Sequence, residues 1–386
     1  MTPLSTYLEH PSKIHLYKNN HFDTVILDLP FCSIRAHHPY DWSNEEIDEL
    51  STSLSVDHLA FNLDGIYTDQ ELSIIHSTLS NRQLDRLFSA CRIQDPGLIL
   101  WLNQHFPTLA IQCNPETGMQ NIPAIKTLHE NGIKRFILNH ETPVGVIQNI
   151  AKECPSLELE TLVQGPILIQ YSKRQFMSNL YETSPDTPIR VNAEDSDLPQ
   201  RMFTFLNTTF GHFMFAQFHR SLANYSEKLI PLDCHWLIDA RGESEHYLTT
   251  VFDLYANLGA LTNDEISKKV HALFNESRKP QKPGFFLANN TDYDWRDETK
   301  TKARPVGHVI SKIKGDEPLI EFYESIPINA QILCINPDQT ETVIESLHMT
   351  DLTHQSIHTI EAFTPYLLAN YQKGIQFKAL LYLKNT

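Results

Sequence analysis

The 386-residue chain is 41% hydrophobic and 20% charged, the make-up of a globular protein long enough for one large domain and a smaller one. Its formal net charge of −16 argues against a general polyanion binder, whose surface should be basic, and no apolar run approaches the roughly 18 residues that a membrane-spanning helix needs. Residues 1–10 lack the basic and apolar regions of a signal peptide, so a cytoplasmic chain without a membrane partner is expected.

Taken in chain order, the first two-thirds repeats one theme: a short β-rich run ends in polar residues and an amphipathic helical run follows. "TVILDL" at 24–29 reads as a strand, and residues 44–54 read as a helix with Ser43 as its N-cap. A strand at 58–62 precedes helices at 69–79 and 83–89; a strand at 91–95 leads into a helix that Pro96 opens and that runs through His105. Strands at 109–113, 134–138 and 157–163 alternate with helices at 121–131, which Gly132 stops, and 143–152. A strand at 235–239 and a helix at 244–258 close the series. Six to eight such units imply parallel βαβ connections and fit an α/β (β/α)₈ TIM-like barrel. The chain has no GxGxxG or GxxxxGK[ST] loop, which weakens the dinucleotide and P-loop alternatives.

Two stretches break the rhythm. Residues 181–199, rich in Pro, Asp, Ser and Thr, read as an inserted loop or lid, and residues 275–305 read as a linker. The expected organisation is therefore a barrel domain over 1–274, a linker over 275–305 and a small all-β, barrel-like domain over 306–386. Short β runs at 307–311, 319–323, 331–335, 342–345 and 378–382 define that last domain.

Function in a (β/α)₈ barrel gathers at the C-terminal strand ends. These supply Arg35, Asn62, Asp64, Asp95, Asn114, Glu141, Gln164, Asp239 and Arg241. Arg35 or Arg241 suits a carboxylate-bearing ligand, because guanidinium binds carboxylate through two parallel hydrogen bonds. Glu141 is either a general acid or base or an N-terminal carboxylate for the helix that follows it. Tyr171-Ser172-Lys173-Arg174, after the 157–163 strand, read as a phosphate or acid clamp. Cys32 with His37 and His38 is a conceivable nucleophile pair, but no orienting third residue is evident. The six cysteines (Cys32, Cys91, Cys113, Cys154, Cys234 and Cys334) form no CxxC pair, and the 19 histidines are dispersed without metal spacing.

Several stretches together resemble one family. "FDTVILDLPFCSIRA" (22–36), "QDPGLILWL" (94–102), "NGIKRFILNHE" (131–141), "ELETLVQGPILIQYSKRQFMSN" (158–179) and "LIDARGESEHYLTTVFDLY" (237–255) are similar to segments of peptidase family U32, the collagenase-like group. The tail after Val306 resembles that family's C-terminal β-barrel extension. The resemblance implies a barrel fold and a peptidase label. It also implies kinship with branches that hydroxylate a wobble uridine of tRNA, ribosomal RNA or ubiquinone precursors, usually with an iron–sulfur cluster on four cysteines. The two-domain layout looks most like the tRNA branch, which implies a small carboxylate cosubstrate such as prephenate.

The departures fall on the cluster. The signature cysteines correspond to Leu168 and Gln175, the downstream pair would fall within 181–201, which has no Cys, and the signature His corresponds to Gln164. His140 replaces an Arg, Asp239 and Ala240 replace Glu and Gly, and Glu243 replaces a Lys. A cluster needs thiolates, so no metal ligands and no cofactor are expected. Glu141, Asp239 and Arg241 remain as catalytic candidates; Arg35, Asn114, Gln164, Tyr171, Ser172, Lys173 and Arg174 remain as substrate-binding candidates. Three functions follow: a cluster-less tRNA-hydroxylation protein, a peptidase, or a non-catalytic subunit partnering a cysteine-bearing relative.

Overall fold

The computed structural model describes the chain apart from residues 1, 19, 35–38, 55, 117, 182–188, 195–201, 288–304, 312–316, 337–339, 370–373, 378 and 385–386. Two compact units divide it, Met1–Leu287 and Ala288–Thr386.

In the first unit, eight parallel strands close on themselves: β1 (Leu4–Tyr7), β2 (Phe22–Leu27), β3 (Val56–Leu63), β4 (Ala90–Ile93), β5 (Ala110–Cys113), β6 (Ile133–Leu138), β7 (Glu158–Ser172) and, after three further strands, β11 (His235–Ile238). β11 pairs with both β7 and β1, which seals the barrel. The expected helices form around it, and their ends follow local chemistry. Ser43 and Thr68 cap the helices Asn44–Ser53 and Asp69–Asn81 through capping boxes with Glu46 and Glu71. Asn121 caps Ile122–Glu130 by accepting from the Ala124 N–H.

β1 was not expected. "LSTY" carries three hydroxyl residues and gives no alternation of apolar and polar, yet all four residues are buried. Ser5 is tolerated because the barrel interior is itself polar at that level: its hydroxyl donates to Glu160. The helix Asn263–Ser277 was also unread, although Thr262 and Glu265 give it a capping box.

The stretch "QGPILIQYSKRQ" is corrected most. The strand expected to end at Val163 does not end there: β7 runs on through the stretch to Ser172, 15 residues in all. Beyond the barrel, β7 pairs antiparallel with β10 (Gly211–Ser221), β10 with β9 (Met202–Thr208), and β9 with β8 (Ile189–Glu194). Gly165-Pro166 are residues of turn chemistry. Pro166 instead lies opposite His219 in an irregular part of the ladder, where one missing N–H is accommodated. Gly165 has φ +144°, and a Cβ there would come within 2.5 Å of the Asp239 carbonyl oxygen. Close approach of β7 to β11 at the barrel mouth therefore requires glycine. The 181–199 insertion contains β8 and so is partly sheet.

The chain beyond residue 274 stays with the barrel unit as far as Leu287. Its strand β12 (Gln281–Lys282) pairs with β10, and Val144 N–H donates to the Phe286 carbonyl.

The second unit is a curled antiparallel sheet of seven strands, in the order Glu341–Ile344, Ile332–Ile335, Leu380–Leu383, Gly307–Ser311, Leu319–Phe322, Pro365–Leu368 and Met349–Thr350. It packs its own core from Val309, Ile320, Phe322, Ile332, Ile344 and Leu381. Among the described residues, no helix of either unit is long and apolar enough to cross a membrane.

Candidate functional site

Inward-facing positions of the barrel strands hold two charged networks. In the interior, Glu160 accepts from Ser5 Oγ at 2.8 Å and from Arg92 Nη2 at 3.1 Å, and lies 3.3 Å from Arg135 Nη1. Arg135 continues to Asp23 at 2.7 Å and Glu158 at 2.7 Å. Glu160 and Arg92 are 0% and 1% exposed. Burial alone would raise the Glu160 pKa, but the two guanidiniums overcome it and hold the carboxylate below its ordinary range. Two positions further along their strands, Tyr7, Ile26, Ile137 and Leu162 join an apolar inner cluster with Ala60, Ala90 and Leu237.

The second network stands at the mouth. Just past β11, Arg241 folds back on Asp239, with Nε 2.9 Å from Oδ1 and Nη2 2.6 Å from Oδ2. Its Nη1 donates to Asp28 Oδ2 at 3.0 Å, and the other Asp28 oxygen accepts from Asn62 Nδ2 at 2.7 Å. The Tyr7 ring lies beneath the guanidinium, 3.8 Å from its carbon, a cation–π contact. Burial works against the charge on Arg241, but Asp239 and Asp28 outweigh it and keep the group ionised.

Between this mouth and the antiparallel extension lies a cavity of about 380 Å³. Asp28, Asp239 and Arg241 line its barrel side; Arg190 of β8, Leu206 of β9 and Phe215 and His219 of β10 line the other, with Lys279 at the edge. Arg190 carries no ion pair among the described residues. Such a concave, partly apolar chamber with few convergent polar groups is the usual form of a small-molecule site.

The candidates from sequence divide by place. Asp239 and Arg241 meet in the mouth. Asn114 is half-buried, donates to Glu116 Oε1 at 2.8 Å, and shares with Asp239 the wall of a smaller cavity of about 40 Å³. Gln164 is fully buried but points away from the cavity: its Nε2 donates to Tyr247 Oη at 2.8 Å and to Gln281 Oε1 at 2.7 Å. Glu141 is exposed on the turn before the helix Val144–Glu153, its N–H bonded to Asn139 Oδ1 at 2.8 Å.

Tyr171, Ser172, Lys173 and Arg174 sit at the far end of β7 and away from that mouth. Tyr171 Oη donates to the Phe210 carbonyl at 2.9 Å, Ser172 Oγ accepts from the Arg174 N–H at 3.2 Å, and Lys173 pairs with Glu71 at 3.0 Å. Tyr171 and Lys173 line a separate cavity of about 290 Å³ with Phe31, Ile66 and Ile74. Arg35 lies outside the described residues, as do His37 and His38. Cys32 is fully buried and its Sγ donates to the Asn62 carbonyl at 3.2 Å; burial pushes its thiol well up, away from the nucleophilic thiolate.

Leu168 is 4% exposed and packs with Ile34, Leu206 and Phe213. Gln175 donates to the Thr208 carbonyl at 2.5 Å and accepts from Asn207 Nδ2. At these two positions, which the family resemblance sets against cluster cysteines, stand an apolar contact and an amide network, and neither side chain supplies a thiolate. Among the described residues, no group of three His, Cys, Asp or Glu side chains is placed to hold a metal ion.

Sequence reasoning missed Tyr7, Asp28, Arg190, His219 and Lys279. Only Asp28 carried a signal, as the polar residue near the end of the first strand that was read. Arg190, His219 and Lys279 reach the cavity, and Tyr7 the underside of Arg241, through elements whose pairing depends on distant partners.

Residues 10–295 match the sequence profile of peptidase family U32. The chain is 31% identical over 86 residues to tRNA hydroxylation protein P of Escherichia coli (strain K12), covering 22% of this chain and 19% of that protein. It is 30% identical over 95 residues to tRNA hydroxylation protein P of Haemophilus influenzae, covering 25% and 21%. The matched stretches thus span about a fifth of those relatives' length. A solved U32 peptidase structure is similar with a TM-score of 0.41 and 14% identity, covering 63% of this chain and 94% of that one. With the profile extending over most of the chain, this protein belongs to peptidase family U32.

Proposed function

We propose that this U32 chain acts in hydroxylation of the tRNA wobble uridine without an iron–sulfur cluster, and that the mouth cavity takes a small carboxylate cosubstrate such as prephenate. The observation that carries the reading is the cavity itself, a chamber of about 380 Å³ over the C-terminal strand ends, edged by Arg190, Arg241 and Lys279. Arg241 is held ionised and fixed in orientation by Asp239 and Asp28. Arg190 is the guanidinium left for a carboxylate. In this reading Asp239 and Arg241 position the ligand, Asn114 reaches it from the smaller cavity, and Glu141, outside both cavities, meets the macromolecular substrate. The names of the partial relatives support the RNA branch. With a net charge of −16, RNA contact falls to local groups such as Arg174, which is exposed.

A second reading, a non-catalytic subunit of a cysteine-bearing relative, is favoured by Leu168 filling an apolar contact where a thiolate would stand. The peptidase reading has less support, since the buried Cys32 thiol is bonded to a backbone carbonyl and is held from ionising. Deleting the gene and measuring tRNA nucleosides by mass spectrometry decides between them. Loss of the hydroxylated wobble nucleoside, restored by this chain alone, supports the first reading. An unchanged profile overturns it, and restoration only together with a relative supports the second.

A further inference from the structure

The cavity edge carries an amine to which the carboxylate reading gives no chemical role. Lys279 follows the left-handed residue Arg278, φ +55°, that ends the helix Asn263–Ser277. Its backbone is pinned on both sides: its N–H donates to Ser277 Oγ at 3.2 Å and its carbonyl accepts from Gln281 Nε2 at 2.9 Å. The next residue, Pro280, accepts from the His219 N–H at 2.9 Å. The side chain is 21% exposed and lines the cavity. Its Nζ lies 3.0 Å from His219 Nε2 and 3.5 Å from Glu243 Oε1.

His219 is 1% exposed, and its other nitrogen lies 3.2 Å from Tyr247 Oη. Burial, aided by the charge of Lys279, pushes its pKa down to about 3, so the ring is neutral and accepts a hydrogen bond from Nζ. Burial also lowers the pKa of Lys279, with Glu243 opposing the shift and Arg190 adding to it. An amine fixed beside a neutral acceptor and a carboxylate, at the wall of a chamber, has the surroundings of a nucleophile. Arg190 of β8, which lines the same cavity, supplies a cation without an ion pair among the described residues for a carboxylate carried by the same ligand.

We propose that Lys279 is a carbonyl-reactive amine that forms a Schiff base with a keto acid bound in this cavity. The Nζ lone pair attacks the carbonyl carbon and forms the C–N bond. The carbonyl oxygen takes a proton, the nitrogen gives one up to Glu243, and a second protonation of the oxygen by solvent releases it as water to leave the protonated C=N. No oxidant or reductant is consumed. The proposal uses the same cavity as the RNA reading but does not depend on RNA, so it stands or falls separately from the nucleoside profile.

The test uses the full chain, pyruvate as the probe and sodium borohydride to reduce any imine to a stable amine, followed by peptide mass spectrometry. One reduced pyruvyl adduct on Lys279 is expected, with at least tenfold less on any other lysine. Lys279→Arg should abolish it, and Arg190→Gln should slow it several-fold. Acetone, which lacks the carboxylate, should label Lys279 more slowly than pyruvate. Adducts spread evenly over surface lysines, or Lys279 unlabelled in protein whose circular dichroism is native, would overturn the proposal.

Discussion

Two arginine–carboxylate networks occupy one barrel, and they differ mainly in what lies next to them. Around Glu160, Arg92 and Arg135 are wrapped by strands on every side, with an apolar cluster along the same strands. Around Arg241, Asp239 and Asp28 face a chamber large enough for a small molecule. Residue types and hydrogen-bond geometry are nearly the same in both. What separates an internal brace from a candidate binding site is access. A buried ion pair is weak evidence for stability in itself, yet removing one partner leaves a charge without compensation. At the mouth, solvent can enter and hydrate whatever a substitution exposes.

The comparison breaks most sharply at its closed end. Glu160→Ala leaves Arg92 in the interior without its carboxylate and takes one of three from Arg135, and a loss of about 3–5 kcal/mol is expected in urea unfolding. Glu160→Gln should also flatten the acid side of the stability profile. The folded-state pKa of Glu160 is lowered, so its contribution is present above the unfolded value of about 4.3 and is lost as pH falls below that toward the folded value. An unchanged profile would mean the network is not coupled to folding.

The cavity wall predicts the next largest effect. His219 is held neutral with a pKa of about 3 against an ordinary 6.5. Below pH 6.5 the unfolded chain binds a proton that the folded chain refuses, so stability falls as pH drops from 6.5 toward 3. Replacing His219 with Gln should remove on the order of 3 kcal/mol of that decline between pH 6.5 and 4, seen as a shallower slope in unfolding midpoints.

At the open mouth, Arg241→Ala should cost about 1–3 kcal/mol, less than Glu160→Ala, because loss of the guanidinium opens the buried Asp28 and Asp239 to the chamber they line. Equal losses in the two variants would erase the distinction. Smallest of all, Lys173→Ala breaks a pair with Glu71 whose side chains are 47% and 46% exposed. Less than about 1 kcal/mol is expected, checked by the same unfolding curves.

These contrasts also show what the sequence made legible. β2 to β6 announced themselves as apolar runs ending in polar residues, and Asp239-Ala240-Arg241 stood out as a charged turn at a strand end. The interior network did not stand out, because Arg92, Arg135 and Glu160 lie inside strand runs where a charge reads as solvent-facing. Only barrel closure turns them inward together. β1 was hidden by its hydroxyls. The extension of β7 was hidden by Gly165-Pro166, since local turn chemistry and long-range pairing with β10 pull in opposite directions and pairing wins. Lys279 and His219 are 60 residues apart, and the ladder between β12 and β10 that joins them leaves no trace in either segment. That Leu168 and Gln175 supply no thiolates, by contrast, was readable from residue types alone.

The central claim is that the open network serves function while the closed one serves structure. It is tested most directly by the hydroxylated wobble nucleoside in cells whose only copy carries Arg241→Lys or Arg92→Lys, with protein levels measured alongside. Lysine keeps the positive charge in both cases but loses the two-pronged grip on a carboxylate. The nucleoside should be lost with Arg241→Lys at a normal protein level and kept with Arg92→Lys wherever the protein accumulates. A wild-type nucleoside level with Arg241→Lys would contradict the account.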